Sequence, residues 1–118
     1  MSTELQISPE LLELMQDDPE FCKEISGLFE SDGRKLLGDL KTHIETADCV
    51  GIEKSTHALK GIFSNTGLDG LRTQMMPLVT FGHDNTLAEH QAEATEIYQQ
   101  LCTSFEQAVA YFQELANR

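Results

Sequence analysis

The feature that most constrains the fold is the spacing of apolar residues, which recur every three or four positions through long stretches of the chain. This period places them on one side of an α-helix, and no stretch shows the alternation typical of strands. The clearest stripe comprises Leu87, Ala94, Ile97, Leu101, Phe105, Ala108, Phe112 and Leu115. Because each stripe must be buried against another, the sequence predicts an all-α protein of packed amphipathic helices.

Helix-start and helix-stop residues divide the first half of the chain. Ser8 followed by Pro9 predicts an N-cap and a short helix that ends near Asp17. Asp18 repeats this start signal and opens a long helix that runs to about Thr46. That helix contains Gly27, Gly33 and Gly38, which are either tolerated weak points or places where another helix approaches closely.

The second half of the chain contains three further helices. Asp48 is placed to cap the first of them, and Gly67 to end it in a Schellman motif that packs Leu68 on Phe63. The next begins at Asp69 or Gly70 and stops at Gly82, and Thr86 with Glu89 predicts a capping box for the last. Short connections between long helices predict an up-down antiparallel four-helix bundle with an additional short N-terminal helix, as a single domain over residues 1–118.

The charge of the chain restricts its partners. A net charge of −12, with eight basic residues in 118, argues against nucleic acid and anionic membranes as partners. Residues 1–7 lack the pattern of a signal peptide, and there is no run of about 18 apolar residues. We therefore expect a monomer in the cytoplasm.

Cysteines, methionines and most histidines show no pattern of a functional site. Cys22, Cys49 and Cys102 are widely separated and are expected to be free, mostly buried thiols. The methionines are expected to fill the core, and His43, His83 and His90 to be surface or boundary residues. Glu53 and His57 lie one turn apart, but two ligands without a third are weak evidence for a metal, so no metal site is predicted.

The stretch from Asp48 to Leu68, DCVGIEKSTHALKGIFSNTGL, does show the pattern of a functional site. At about 100° per residue, one third of its helical surface carries the apolar stripe of Ile52, Leu59, Ile62, Phe63 and Thr66. His57 lies nearly opposite this stripe, so its imidazole is expected to face solvent. Its neighbours on the helix surface are Glu53 one turn before, Lys60 and Gly61 one turn after, and Ser64 two turns after.

Glycine inside a helix costs about 1 kcal/mol relative to alanine, so Gly61 calls for a compensating benefit. Without a side chain there, the ring of His57 is uncovered and a bulky partner can approach it. Ser64, which is also small, extends the cleared surface, and Lys60 supplies a flexible charge suited to a phosphoryl group or another anion. Each residue alone has an ordinary explanation, but the combined spacing H-x-L-K-G-x-x-x-x-x-G indicates a site.

The sequence HALKGIFSNTG resembles the signature of histidine-containing phosphotransfer domains, four-helix modules that relay phosphate between response-regulator receiver domains in histidine-to-aspartate signalling. The likeness extends upstream through PEFCKEISGLFESDGRKLLGDLKTHIETAD and fades after Leu71. It implies that His57 is the phosphoacceptor, that Lys60 steadies the phosphoryl group and that Gly61 admits the receiver. The docking face would include Ala58, Ser64 and Asn65, with receivers as partners and a hybrid sensor histidine kinase as a further candidate.

The expected chemistry is nucleophilic attack by a neutral imidazole on the phosphorus of an aspartyl phosphate, with the resemblance implying Nε2 as the attacking atom. Glu53 could orient the ring or resist phosphate, and both roles remain open. The chain has no Walker loop or kinase glycine-rich loop, so we expect no ATP-dependent kinase activity and no intrinsic cofactor. Magnesium would come with the receiver's acidic pocket, and whether the relay is itself an enzyme is left open.

The sequence departs from the family on the helix that follows the histidine helix. The family often places a polar side chain there, beside the histidine, where this chain offers Met76, Pro77, Leu78 and Val79. Pro77 should also kink that helix. The alternative function is therefore an adaptor that binds a receiver or a kinase without accepting phosphate.

Overall fold

The structure, a computed structural model, describes residues 9–117, and this part of the chain is all-α, as the apolar spacing predicts. The helices are α1 (Pro9–Asp17), α2 (Pro19–Glu45), α3 (Cys49–Asn65), α4 (Asp69–His83) and α5 (Gln91–Ala116), with a 3₁₀ helix at Leu87–His90 before α5. Ser8, the predicted N-cap of α1, lies outside the described residues. α2 packs against α3 and α5, and α4 also packs against α3 and α5.

The predicted caps of α2 and α3 are confirmed. The carboxylate of Asp18 accepts from the backbone N–H of Phe21 at 3.1 Å, and that of Asp48 accepts from Gly51 at 2.9 Å. Each bond satisfies a backbone donor of a first helical turn, and a lost cap of this type costs about 1 kcal/mol. These caps set where the histidine helix begins and therefore which of its residues face the core.

The Schellman motif at the end of α3 is also confirmed. Gly67 has a φ of 69°, and the N–H of Leu68 donates to the carbonyl of Phe63 at 2.8 Å. Leu68 is fully buried, as expected for the apolar contact that accompanies this motif. The chain therefore turns sharply into α4, which brings that helix back along α3.

The end of α4 differs from the prediction. Gly82 lies within α4, and the residue in the left-handed conformation is Asn85, with a φ of 58°. The N–H of Thr86 closes this turn by donating to the carbonyl of Phe81 at 2.9 Å. Because that N–H is already used, the capping box of Thr86 and Glu89 does not form, and α5 starts at Gln91 after the 3₁₀ helix.

Gly82 has a packing role instead. A Cβ at this position would lie 2.6 Å from Cγ2 of Ile52 and 3.1 Å from Cγ of Glu53, both on α3. The carboxyl-terminal end of α4 therefore approaches α3 closely at Gly82, one residue before His83. Pro77 lies inside α4 on its exposed side, and the helix continues through it to His83.

The core is one cluster of buried apolar side chains drawn from all five α-helices and the 3₁₀ helix. Phe29 stacks on Phe105 with ring centroids 4.8 Å apart and meets the edge of Phe112 at 5.3 Å. Leu28, although its spacing fits the apolar pattern of α2, is 55% exposed. Met15 and Met75 are buried as predicted, whereas Met76 is 42% exposed.

The cysteines and two of the remaining histidines fit the predictions. All three cysteines are free: Cys22 is buried and the other two are half-buried. Burial raises the pKa of the Cys22 thiol. His43 is half-buried, and its Nδ1 lies 2.8 Å from Oγ of Ser55, which joins α2 to α3. His90 stacks on Phe81 with centroids 4.5 Å apart.

Gly33 is the α2 glycine that permits close approach of another helix. A methyl group there would overlap the ring of Phe105, which is 1% exposed and held by Phe29 and so cannot move aside. Gly33→Ala is therefore expected to lower the free energy of unfolding by about 1 to 3 kcal/mol, measured by urea denaturation. A Cβ at Gly38 would meet no atom within 4 Å, so Gly38→Ala should instead raise the free energy of unfolding, by at most about 1 kcal/mol. Equal stability of Gly33→Ala and wild type would contradict the close approach.

Candidate functional site

His57 lies on the exposed side of α3, as its position opposite the apolar stripe predicts. Ile52, Leu59 and Phe63 of that stripe are fully buried, which fixes the rotation of α3 about its axis. Thr56, beside His57 in sequence, is 1% exposed and its hydroxyl donates to the carbonyl of Ile52 at 2.7 Å. The backbone that carries His57 is therefore held by the core, while its ring forms no hydrogen bond or ion pair within residues 9–117.

The imidazole faces a cleft of about 240 Å³ between α3 and α4. Its walls are formed by Glu53, Thr56, His57, Lys60, Val79 and His83. Lys60 is exposed and forms no ion pair with any residue from 9 to 117, so its ammonium group is available to an anion. The cleft thus combines a free imidazole and a free cation, which are the groups needed to accept and hold a phosphoryl group.

Glu53 also lines the cleft, and its stem packs toward Gly82 on α4. Its carboxylate forms no hydrogen bond to His57 in the part of the chain that the structure describes. The geometry therefore gives no support to ring orientation by Glu53. A carboxylate at this place instead adds negative charge to the wall that a phosphoryl group would face.

Gly61 lies on the open side of α3, where a Cβ would meet no atom within 4 Å outside its own helix backbone. Ser64 is likewise exposed. At Gly61, packing within residues 9–117 therefore does not require the absence of a side chain. Gly61 instead leaves the helix surface one turn beyond His57 uncovered by a side chain.

Ala58 and Asn65 face the other side, toward α2. Ala58 lines a hollow with Asp32, Lys35, Leu36 and Ile62, and Asn65 lines a second with Ile25, Leu28, Phe29, Asp32, Ile62 and Thr66. The two hollows meet at Asp32 and Ile62 and form an apolar groove beside Gly61, with the exposed Leu28 on its wall. The predicted site residues therefore divide between the cleft and this groove, on opposite sides of the surface around Gly61.

His83 is the site residue that the sequence reasoning missed. It is exposed, as predicted, but it lies in the last turn of α4 on the wall of the cleft that contains His57. α4 thus contributes a polar side chain to the cleft, although the ring of His57 forms no hydrogen bond within residues 9–117. The segment considered, Met76 to Val79, contributes Val79, and the polar side chain comes one turn later. The spacing of four residues between Val79 and His83 was the available signal.

The charges of the described helices are unevenly distributed. Every Lys and Arg of residues 9–117 lies on α2, α3 or α4. α5 has none and carries Glu93, Glu96, Glu106 and Glu114. Acidic residues on α2, α3 and α4 nearly balance these basic ones, so the helices that form the cleft and the groove are close to neutral, whereas α5 is acidic.

Among residues 9–117, no group of three or more histidine, cysteine, aspartate or glutamate side chains is arranged to hold a metal ion. No helix in this range combines the length and the apolar character needed to cross a membrane. Comparison of the chain with family models, curated proteins and solved structures gave no match.

Proposed function

We propose that this protein is a histidine phosphotransfer protein that relays a phosphoryl group between aspartates of response-regulator receiver domains through phospho-His57. The observation that carries the proposal is the exposed imidazole of His57, in a cleft with the free ammonium group of Lys60 and one turn from the open surface at Gly61. The motif H-x-L-K-G supports it from the sequence. The proposed architecture is an up-down four-helix bundle of α2 to α5, which is supported by their mutual packing and short connections.

In the proposed reaction, the lone pair of the unprotonated ring nitrogen of His57 attacks the phosphorus of a receiver's aspartyl phosphate. The N–P bond forms as the P–O bond to the aspartyl group breaks, and the aspartate leaves as a carboxylate with the bonding electrons. The second ring nitrogen keeps its proton. Reversal of these steps passes the phosphoryl group to the aspartate of the next receiver. The positive charge of Lys60 offsets the charge on the transferring group, and the receiver supplies the Mg²⁺.

The groove beside Gly61 supports docking of a receiver on this face. Leu28 is 55% exposed and borders the groove together with Ile25 and Ile62, so a partner could bury apolar surface there. Lys35 and Asp32 add polar groups at its edge. A receiver seated on this groove would cover Gly61 and present its phosphorylated aspartate to His57.

The experiment that tests the proposal uses receivers that carry labelled aspartyl phosphate. Mixing each with the purified chain should produce label on the chain that is labile in acid and stable in base, as a phosphohistidine is. Binding without label, across several candidate receivers, would overturn the relay and favour the adaptor. If the chain shows no binding and no label with any receiver, the relay and the adaptor would both be overturned.

Lys60→Ala is expected to slow phosphoryl transfer about tenfold and to leave the melting temperature nearly unchanged. A charge-assisted contact to a phosphoryl oxygen is lost, whereas Lys60 makes no ion pair with residues 9–117 that would stabilise the fold. Rapid-quench measurement of label transfer gives the rate. Lys54→Ala is the matched control, because Lys54 is exposed on α3 but does not line the cleft. An equal rate in Lys60→Ala and wild type would remove Lys60 from the mechanism.

A further inference from the structure

His83 has no structural task that explains its position. It is exposed, lies in the last turn of α4 and forms no hydrogen bond or ion pair within residues 9–117. By contrast, His43 is joined to Ser55, and His90 stacks on Phe81 and lies 3.4 Å from Glu93. The ring of His83 is thus free to meet a group that enters the cleft.

The place of His83 is set by close packing. Gly82, the residue before it, lets α4 approach Ile52 and the stem of Glu53 on α3. This approach brings His83 to the wall of the cleft that His57 and Lys60 also line. The ionisable side chains that line the cleft from α3 are therefore Glu53, His57 and Lys60, beside Thr56.

A phosphoryl group on the ring of His57 would enter a cleft in which Glu53 is negatively charged and Lys60 is positively charged. Lys60 is a compact point charge on a flexible chain and meets the phosphoryl group from the α3 side, which leaves phosphoryl oxygens that need further donors. An imidazole always carries at least one N–H, and no group in residues 9–117 competes for that of His83. We propose that His83 is a second phosphoryl-binding residue, which donates a ring N–H to a phosphoryl oxygen on His57 from the α4 side of the cleft.

This inference rests on the proposed function, but phosphoramidate, a small phosphoryl donor, allows it to be tested without a receiver. The full chain labelled with ¹⁵N-histidine gives ring signals for four histidines, assigned with single variants. After phosphorylation of His57, the ring signals of His83 should shift, while those of His43 and His90 should stay in place. An unchanged His83 signal would overturn the proposal.

The second readout is the lifetime of isolated phospho-His57, which docking of a receiver does not affect. The proposed hydrogen bond stabilises phospho-His57 itself, and its loss in His83→Leu should shorten the lifetime about tenfold, the size expected for a hydrogen bond to a charged group. His83→Gln keeps an N–H donor and should restore most of the lifetime. Thr80→Leu is the control, because Thr80 is exposed on α4 and does not line the cleft.

The outcomes separate this inference from the relay. A shorter lifetime in His83→Leu, with rescue by His83→Gln, would establish the contact even if no receiver transferred phosphate, in which case only the relay would fail. If receivers transfer phosphate to the chain but the lifetime of phospho-His57 is equal in wild type and His83→Leu, the contact from His83 would be overturned and the relay would stand. No phosphate on His57 from either kind of donor would overturn both.

Discussion

His57→Gln is expected to abolish phosphate acceptance and to leave the stability within about 0.5 kcal/mol of wild type. The amide of glutamine has no nucleophilic lone pair on nitrogen, so the N–P bond cannot form. The fold is unaffected because the ring of His57 faces solvent and has no polar contact within residues 9–117. Label transfer from a phosphorylated receiver measures the first effect, and thermal unfolding followed by circular dichroism measures the second.

The matched control for this variant is His90→Gln, which removes a histidine of the same chemistry from outside the cleft. It should accept phosphate at the wild-type rate, with a small loss of stability because His90 stacks on Phe81. Label on His57→Gln would show that another residue accepts the phosphoryl group. Loss of label in His90→Gln would show that the assay responds to stability and not to the loss of a specific nucleophile.

Gly61→Gln is expected to raise stability and impair function at the same time. A Cβ at Gly61 meets no atom within 4 Å outside the helix backbone, so the fold gains helix propensity, worth up to about 1 kcal/mol, without a clash. The longer side chain would occupy the surface on which we propose that a receiver docks. Transfer from the receiver should therefore fall at least about tenfold, which corresponds to about 1.4 kcal/mol of lost interaction.

Gly38→Gln provides the comparison, because Gly38 is also an exposed helical glycine with open space, but on α2 beside α5 and away from the groove. It should show the same gain in stability and wild-type transfer. Phosphorylation of Gly61→Gln by phosphoramidate should remain normal, since a small donor does not need the open surface. Wild-type transfer from a receiver to Gly61→Gln would refute the docking role of Gly61.

Helix ends show which parts of the fold the sequence could predict. Asp18, Asp48 and Gly67 act through hydrogen bonds or backbone conformations within a few residues, so their local sequence was sufficient. The end of α4 at Asn85 was missed because Gly82 offered an equally good local signal, and only packing against α3 assigns that glycine to the interior of the helix. Ala47, with a φ of 52°, closes α2 in the same way without any sequence signal.

The groove was missed for a similar reason. Leu28 fits the helical period of the apolar residues on α2, but these residues cover a wider part of the helix surface than α3 and α5 bury. Periodicity identifies which residues can be buried, whereas the neighbouring helices decide which of them are buried. Leu28 therefore remains on the surface, beside Ile62 and Asn65.

The sequence by itself determined the five α-helices of residues 9–117, except for the end of α4 and the start of α5, and the outward direction of His57, Lys60 and Gly61. These features depend on the 3.6-residue period and on local caps. Only the tertiary structure decided that His83 shares the cleft with His57 and that Gly33 receives the ring of Phe105. Which residue of one helix lies opposite a given residue of another depends on the register and distance of their packing. That register follows from the shapes of side chains far apart in sequence, such as Gly82 and Ile52, and no local pattern encodes it.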